Sequence, residues 1–221
     1  MSSTKKARVV VLISGSGSNL QALIDGVTSG DLPIELVAVI SNRPGVFGLE
    51  RAANASIPAQ LLDHKAFTDR ESFDRALMDK IDSYQPDLIV LAGFMRILTA
   101  EFTQHYLGRM LNIHPSLLPK FQGLHTHQRA IEAGEQCHGV TVHFVTAELD
   151  GGPAIVQASV PVFENDDEIS LAKRVQRQEH VIYPLAVKWF AEGDLCMING
   201  KSMLKGEPLP SSGFQIWSDE T

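Results

Sequence analysis

Residues 8–21 read RVVVLISGSGSNLQ, and this stretch decides the fold. Val9 to Ile13 form an unbroken apolar run, as expected of a strand buried on both faces. Glycine and serine follow at once. Leu20, Leu23, Ile24 and Val27 then recur at i, i+3, i+4 and i+7, one face of an amphipathic helix. Strand, tight turn, helix is the opening unit of an α/β fold. The rest of the first half repeats it. Strands are predicted at 34–41 (IELVAVIS), 58–62 (PAQLL), 86–93 (PDLIVLAG) and 109–115 (RMLNIHP). Helices are predicted at 46–56 and 68–84, the second from an apolar stripe of Phe73, Leu77, Ile81 and Tyr84. Thr68 and Glu71 have the spacing of a capping box at its start.

The second half changes style. Residues 139–146 (GVTVHFVT) alternate, and 154–163 (AIVQASVPVF) follow after Gly-Gly-Pro, so antiparallel strands are expected there. A long helix begins near Asp167, with Pro184 expected to kink or interrupt it. The expected fold class is therefore α/β: a Rossmann-like, mostly parallel sheet with helices on both faces and antiparallel strands added in the C-terminal half. No linker divides the chain. One domain over 1–221 is expected, with a core of about 8–195 and a tail of about 205–221 that wraps the surface or is partly disordered.

The 221 residues are 44% apolar and 20% charged, with a net charge of −7. That balance argues against nucleic acid and acidic membranes as partners. The run at 9–13 is too short for a secretory signal, and nothing approaches a membrane span. Two distant cysteines, Cys137 and Cys196, read as thiols of a reducing compartment, so a cytoplasmic location is expected.

Several motifs carry chemistry. ISGSGSNLQ (13–21) offers backbone N–H groups and a helix N-terminus to an anion. It is not the dinucleotide fingerprint, because Leu20 stands where the third glycine belongs, and it lacks the Lys-Ser/Thr of a nucleotide P-loop. A phosphate on a small molecule fits it; a plain turn capped by Ser18 or Asn19 is the other reading. Asn112 and His114, two apart at the C-terminal end of a core strand, point to one face. An amide can donate to a developing oxyanion, and an imidazole can donate or shuttle a proton. Asp150, before two glycines, can orient His114 and stabilise its imidazolium, or simply close its own turn. His125, His127, His138, His143 and Cys137 lack the spacing of common zinc sites, and no metal is expected. Gln176 and Glu179 share a helical face that can meet a ligand or solvent.

Taken together, SGSGSNLQ, LAGFMRIL (91–98), LNIHPSLLPKFQGLHTH (111–127), GVTVHFVTAELDGGPAIVQ (139–157) and QEHVIYP (178–184) resemble the phosphoribosylglycinamide formyltransferase family. The resemblance runs from about Val9 to Pro184 in the family's order. It implies formyl transfer from 10-formyltetrahydrofolate, as cosubstrate, to glycinamide ribonucleotide, in purine biosynthesis. It implies Asn112, His114 and Asp150 as catalytic residues. It assigns Gly17, Ser18, Asn19, Gln176 and Glu179 to the ribonucleotide. It assigns Arg70, Met95, Arg96, Ile97, Leu98, Thr146, Ala147, Glu148 and Leu149 to the folate. Some relatives carry Lys at the position of Gln176, which leaves its phosphate contact open. A 10-formyltetrahydrofolate hydrolase is the alternative, and the early start of the fold at Val9 leaves little room for the regulatory domain such enzymes usually carry. Methionyl-tRNA formyltransferases carry a further C-terminal domain for which no room is expected. A monomer or a homodimer is expected.

Overall fold

A computed structural model describes residues 5–218. The chain forms two compact units, one ending at Leu111 and the other beginning at Asn112. The first is built from β1 (Ala7–Ile13), α1 (Ser18–Ser29), β2 (Ile34–Ser41), α2 (Phe47–Asn54), β3 (Ala59–Leu61), α3 (Arg70–Asp82), β4 (Leu88–Leu91) and α4 (Ala100–His105). Strand β1 pairs in parallel with β2 and β4, and β2 pairs in parallel with β3. The order β4-β1-β2-β3 places β1 at the centre. Accordingly, Val9 through Ile13 are all fully buried, which is why that run never alternates.

Helix α1 buries Leu20, Leu23 and Ile24 as its spacing predicts, and ends on Gly30 in the left-handed region (φ 85°). Helix α3 begins two residues later than expected. Its N-cap is Asp69, whose side chain accepts the Ser72 N–H at 2.7 Å, so the Thr68–Glu71 capping box does not form. Asp and Thr are both good caps, and the carboxylate has the added attraction of the helix's positive end.

Strand β5 (Met110–His114) carries the chain from the first unit into the second, where α5 (Thr126–Glu132), β6 (Cys137–Phe144), β7 (Ala154–Pro161) and α6 (Glu168–Ala191) follow. Strands β6 and β7 are antiparallel, as the alternation predicts, with a register shift between Val142 and His143. Both faces of β6 are nonetheless buried. Helix α6 is capped by Asp167 in a capping box with Ser170, and it runs through Pro184 without a break. Around that proline, Ile182, Tyr183, Ala186 and Val187 are buried. Their packing offsets the roughly 3 kcal/mol that an interior proline costs through its missing helical bond and the clash of its ring with the preceding turn.

After α6 come β8 (Leu195–Ile198), β9 (Lys201–Leu204), β10 (Glu207–Pro208) and β11 (Phe214–Trp217). Strands β8, β9 and β10 form a small antiparallel sheet, and β11 pairs in parallel with β7. The described part of the tail is therefore strand-bearing; its last three residues, 219–221, lie outside the described residues. The mixed α/β class with a mostly parallel sheet is the class the sequence predicts.

Candidate active site

In the second unit, β5 ends on the polar pair. Asn112 is half-buried and His114 is 6% exposed. The Asn112 amide nitrogen lies 3.2 Å from His143 Nε2. His143 Nδ1 lies 2.9 Å from the Phe144 carbonyl, which can only accept, so Nδ1 carries the proton and Nε2 is a bare acceptor. This assigns the amide: Asn112 turns its NH₂ toward His143, spending one N–H there and keeping one. Burial holds His143 below the usual histidine range, so it remains neutral and remains an acceptor. The register shift between β6 and β7 falls at this residue.

His114 faces acceptors on both sides. Its Nε2 lies 3.0 Å from the Phe121 carbonyl and its Nδ1 lies 3.5 Å from Asp150 Oδ2. An imidazolium, with two N–H groups, matches both partners; either neutral tautomer leaves one nitrogen facing an acceptor with a lone pair. The Asp150 side chain is only 8% exposed, and its Oδ2 also accepts the Gly123 N–H at 3.1 Å. Asp150 itself is left-handed (φ 50°), a conformation Asp tolerates better than most residues. Two residues on, a Cβ at Gly152 would overlap the Phe144 carbonyl. The Asp-Gly-Gly sequence is thus what lets a carboxylate approach His114 at a reversing backbone. Thr146, Ala147, Glu148 and Leu149 lead into Asp150, and Leu149 is 53% exposed.

The histidine cluster divides. His127 on α5 and His138 on β6 form a pair, Nδ1 to Nε2 at 3.2 Å. Pro115, next to His114, accepts from His138 through its carbonyl. With that nitrogen donating, His138 Nε2 accepts from His127 Nδ1–H, and burial holds both rings below the usual histidine range. His125 is exposed at the start of α5, and Cys137 and Cys196 are free thiols. Among the described residues no three His, Cys, Asp or Glu side chains are grouped to hold a metal ion.

Burial pushes His138 down to about 4, and the neighbouring His127 adds to the effect. The sign follows directly. The unfolded chain takes up this proton near pH 6.5 and the folded chain only near 4, so stability is full above 6.5 and falls as the pH drops through that window. Urea unfolding at pH 7 and pH 5 should differ by about 2 kcal/mol on this account. His138→Gln should flatten that difference.

In the first unit, Gly17 (φ 71°) caps α1 through its backbone and makes no side-chain cap bond, so neither Ser18 nor Asn19 is the N-cap. A Cβ at Gly17 would come within 2.8 Å of Gly48 Cα, and one at Gly48 would meet Ile13 Cδ1 at 2.5 Å. The loop before α1 therefore lies directly against α2. Arg51 of α2 ties it down, donating to the Ser16 carbonyl and to Gln21 Oε1, both at 2.9 Å. Neither Gly48 nor Arg51 carried a signal in the sequence. Arg70 is half exposed at the start of α3, 3.8 Å from Glu71. Met95 and Ile97 are more than half exposed, while Arg96 folds inward over Phe73, 4.7 Å from the ring centroid.

On α6, Gln176 is exposed and Glu179 half-buried. A cavity of about 870 Å³ takes in Asp150, Gly151–Ala154, Gly200–Ser202 and Pro208–Ser212, but neither Asn112 nor His114 lines it.

A buried imidazole–carboxylate pair beside an oriented amide donor is the equipment of an acyl-transfer site. The formyl transferase family profile matches residues 7–187. Phosphoribosylglycinamide formyltransferase of Escherichia coli (strain K12) is 55% identical over 206 residues, covering 93% of this chain and 97% of that protein. The solved phosphoribosylglycinamide formyltransferase of Coxiella burnetii is 50% identical with a TM-score of 0.93, covering 96% of this chain and all of that one. A formyltetrahydrofolate deformylase from Pseudomonas syringae pv. tomato is more distant. It is 27% identical with a TM-score of 0.85, covering 91% of this chain and 66% of that one. The chain belongs to the phosphoribosylglycinamide formyltransferase family.

Proposed function

We propose that the chain moves a formyl group from 10-formyltetrahydrofolate to the primary amine of glycinamide ribonucleotide. The amine nitrogen attacks the formyl carbon. The carbonyl oxygen becomes an oxyanion, held by the free N–H of Asn112 and stabilised by the positive charge of His114, whose own two N–H groups face the Phe121 carbonyl and Asp150. Collapse of this tetrahedral intermediate breaks the bond to the folate nitrogen, and a water relays the proton from the attacking amine to that nitrogen. Asp150 keeps His114 oriented and balances its positive charge. The observation that carries this reading is the placement of Asn112. Its amide is oriented by a neutral His143, and it lies two residues before an imidazole paired with a buried carboxylate.

The remaining assignments follow the same reading. Gly17, Ser18 and Asn19 hold the phosphate and ribose, with Gln176 and Glu179 as further contacts. Met95, Arg96, Ile97 and Leu98, with Thr146, Ala147, Glu148 and Leu149, receive the folate. Arg70, half exposed at the start of α3, meets its carboxylates, while Arg96, turned in over Phe73, supports the segment from within. Holding both substrates at once supplies much of the remaining acceleration by orientation. The single domain expected over 1–221 remains our reading, supported by one family profile that crosses from the first unit into the second. No described helix is long and apolar enough to cross a membrane, and action on soluble substrates in the cytoplasm is our reading of the location.

The test is one absorbance assay of formyl-folate turnover, with and without glycinamide ribonucleotide. Transfer predicts turnover only when the ribonucleotide is present. Formate release in its absence would make the chain a hydrolase, and binding without turnover would sink both.

A further inference from the structure

Asp74 follows Phe73 on α3 and is 1% exposed. A carboxylate there is costly: burial pushes its carboxyl above the usual range, against the pull of the Thr99 N–H and of the positive Arg96 and Arg70. An apolar residue would extend the helix's buried stripe at no such cost, so the interactions Asp74 makes are informative.

Its Oδ2 accepts the Thr99 N–H at 2.7 Å. Thr99 is in turn the N-cap of α4, its hydroxyl accepting from Phe102 N–H at 3.3 Å. At the other end of the same loop, the Met95 N–H donates to Ser14 Oγ at 2.8 Å, and Ser14 donates to Asn42 Oδ1 at 2.6 Å. The segment between Met95 and Thr99 is strung between two buried side-chain acceptors. Within it the side chains alternate. Met95 and Ile97 face outward, and Arg96 turns in over Phe73, the residue beside Asp74. Arg96 Nε and Asp74 Oδ1 are both buried and have no hydrogen-bond partner among the described residues. The second carboxylate oxygen is therefore left to act on the arginines through its charge alone.

We propose that Asp74 is a positioning residue for the segment Met95–Leu98, fixing its end through Thr99 and holding Arg96 inward through charge, so that the segment is already ordered when the folate arrives. This rests on the assignment of Met95–Leu98 to the folate. A loop ordered in advance loses less freedom on binding, so the effect falls on affinity for that one ligand. Ser14 is the weaker place to test it, because it adjoins the loop assigned to the phosphate.

The experiment is steady-state kinetics of Asp74→Ala and Asp74→Asn beside Arg96→Ala, varying each substrate in turn. Losing a hydrogen bond to a charged acceptor should raise KM for 10-formyltetrahydrofolate about tenfold in Asp74→Ala. KM for glycinamide ribonucleotide and kcat should stay near wild type. Asp74→Asn keeps an oxygen for Thr99 but not the charge, and should show a rise of about threefold. Amide exchange at Thr99 should quicken in the alanine variant and much less in the asparagine one. If Arg96→Ala raises the folate KM and Asp74→Ala does not, Asp74 does not position the segment and the folate assignment stands. If neither raises it, the assignment fails and the proposal falls with it. If both Asp74 variants impair both substrates and kcat together, the role is general packing and the proposal is overturned. Should Asp74→Ala not fold, Asp74→Asn decides: a raised folate KM beside a normal ribonucleotide KM supports the proposal, and an unchanged one ends it.

Discussion

Asn112→Ala is expected to lower kcat about 10²- to 10³-fold, the usual loss when one oxyanion donor is removed. Both KM values should stay within a few-fold of wild type, because the amide acts on charge that develops only during reaction. The orientation of the amide sharpens this. His143 Nε2 is an acceptor because its Nδ1 proton is committed to the Phe144 carbonyl. It therefore selects the NH₂ of Asn112 and leaves the second N–H of that group for substrate. Asn112→Asp is the stringent companion. It keeps shape and volume but can only accept, and it sets a carboxylate against a bare nitrogen. It should be at least as inactive as the alanine variant. Thermal melts and the two KM values check that each protein is folded and binds. A kcat within tenfold of wild type in either variant would remove Asn112 from the oxyanion site.

How much of this was legible in the sequence depended on the range of the interaction. The parallel strands announced themselves because Val9–Ile13 and their neighbours are buried on both faces, and burial on both faces writes an unbroken apolar run. The pairing of Asn112 with His114 was legible because it needs only the period of a strand. Local chemistry was read less well. The cap of α3 fell on Asp69 rather than Thr68, two adjacent residues that both suit the position. Pro184 stayed within α6 because tertiary packing outweighed a local breaker. The hairpin of β8 and β9 had a readable signal, Asn199-Gly200, both in the left-handed conformation such a turn requires. Interactions between elements left no trace in the sequence. His143 looked like one histidine of a cluster, yet it orients Asn112. Nothing in the sequence set Asp74 or Arg51 apart.

Asp150→Asn is expected to cost about 10³-fold in kcat, since it removes the charge facing a buried imidazole and keeps nearly everything else. Asparagine is the right replacement for a backbone reason. Position 150 is left-handed (φ 50°), and Asn, like Asp, accepts that conformation with little strain. The Gly123 N–H, which donates to Asp150 Oδ2 at 3.1 Å, keeps an oxygen to bond. The loop should therefore hold its place, and the melting temperature should move by only a few degrees. What changes is His114. Its Nε2 still faces the Phe121 carbonyl, so a single proton stays there, and Nδ1 no longer has a carboxylate to favour a second. The imidazole then presents no charge to the oxyanion. If the two residues act as one unit, their losses do not add. His114→Asn alone and His114→Asn with Asp150→Asn should have nearly the same kcat, because the carboxylate has no imidazolium left to support. A double variant slower than His114→Asn by the full Asp150→Asn factor would mean that Asp150 acts on the substrates independently of His114, and the pairing seen at 3.5 Å would not be the source of its effect.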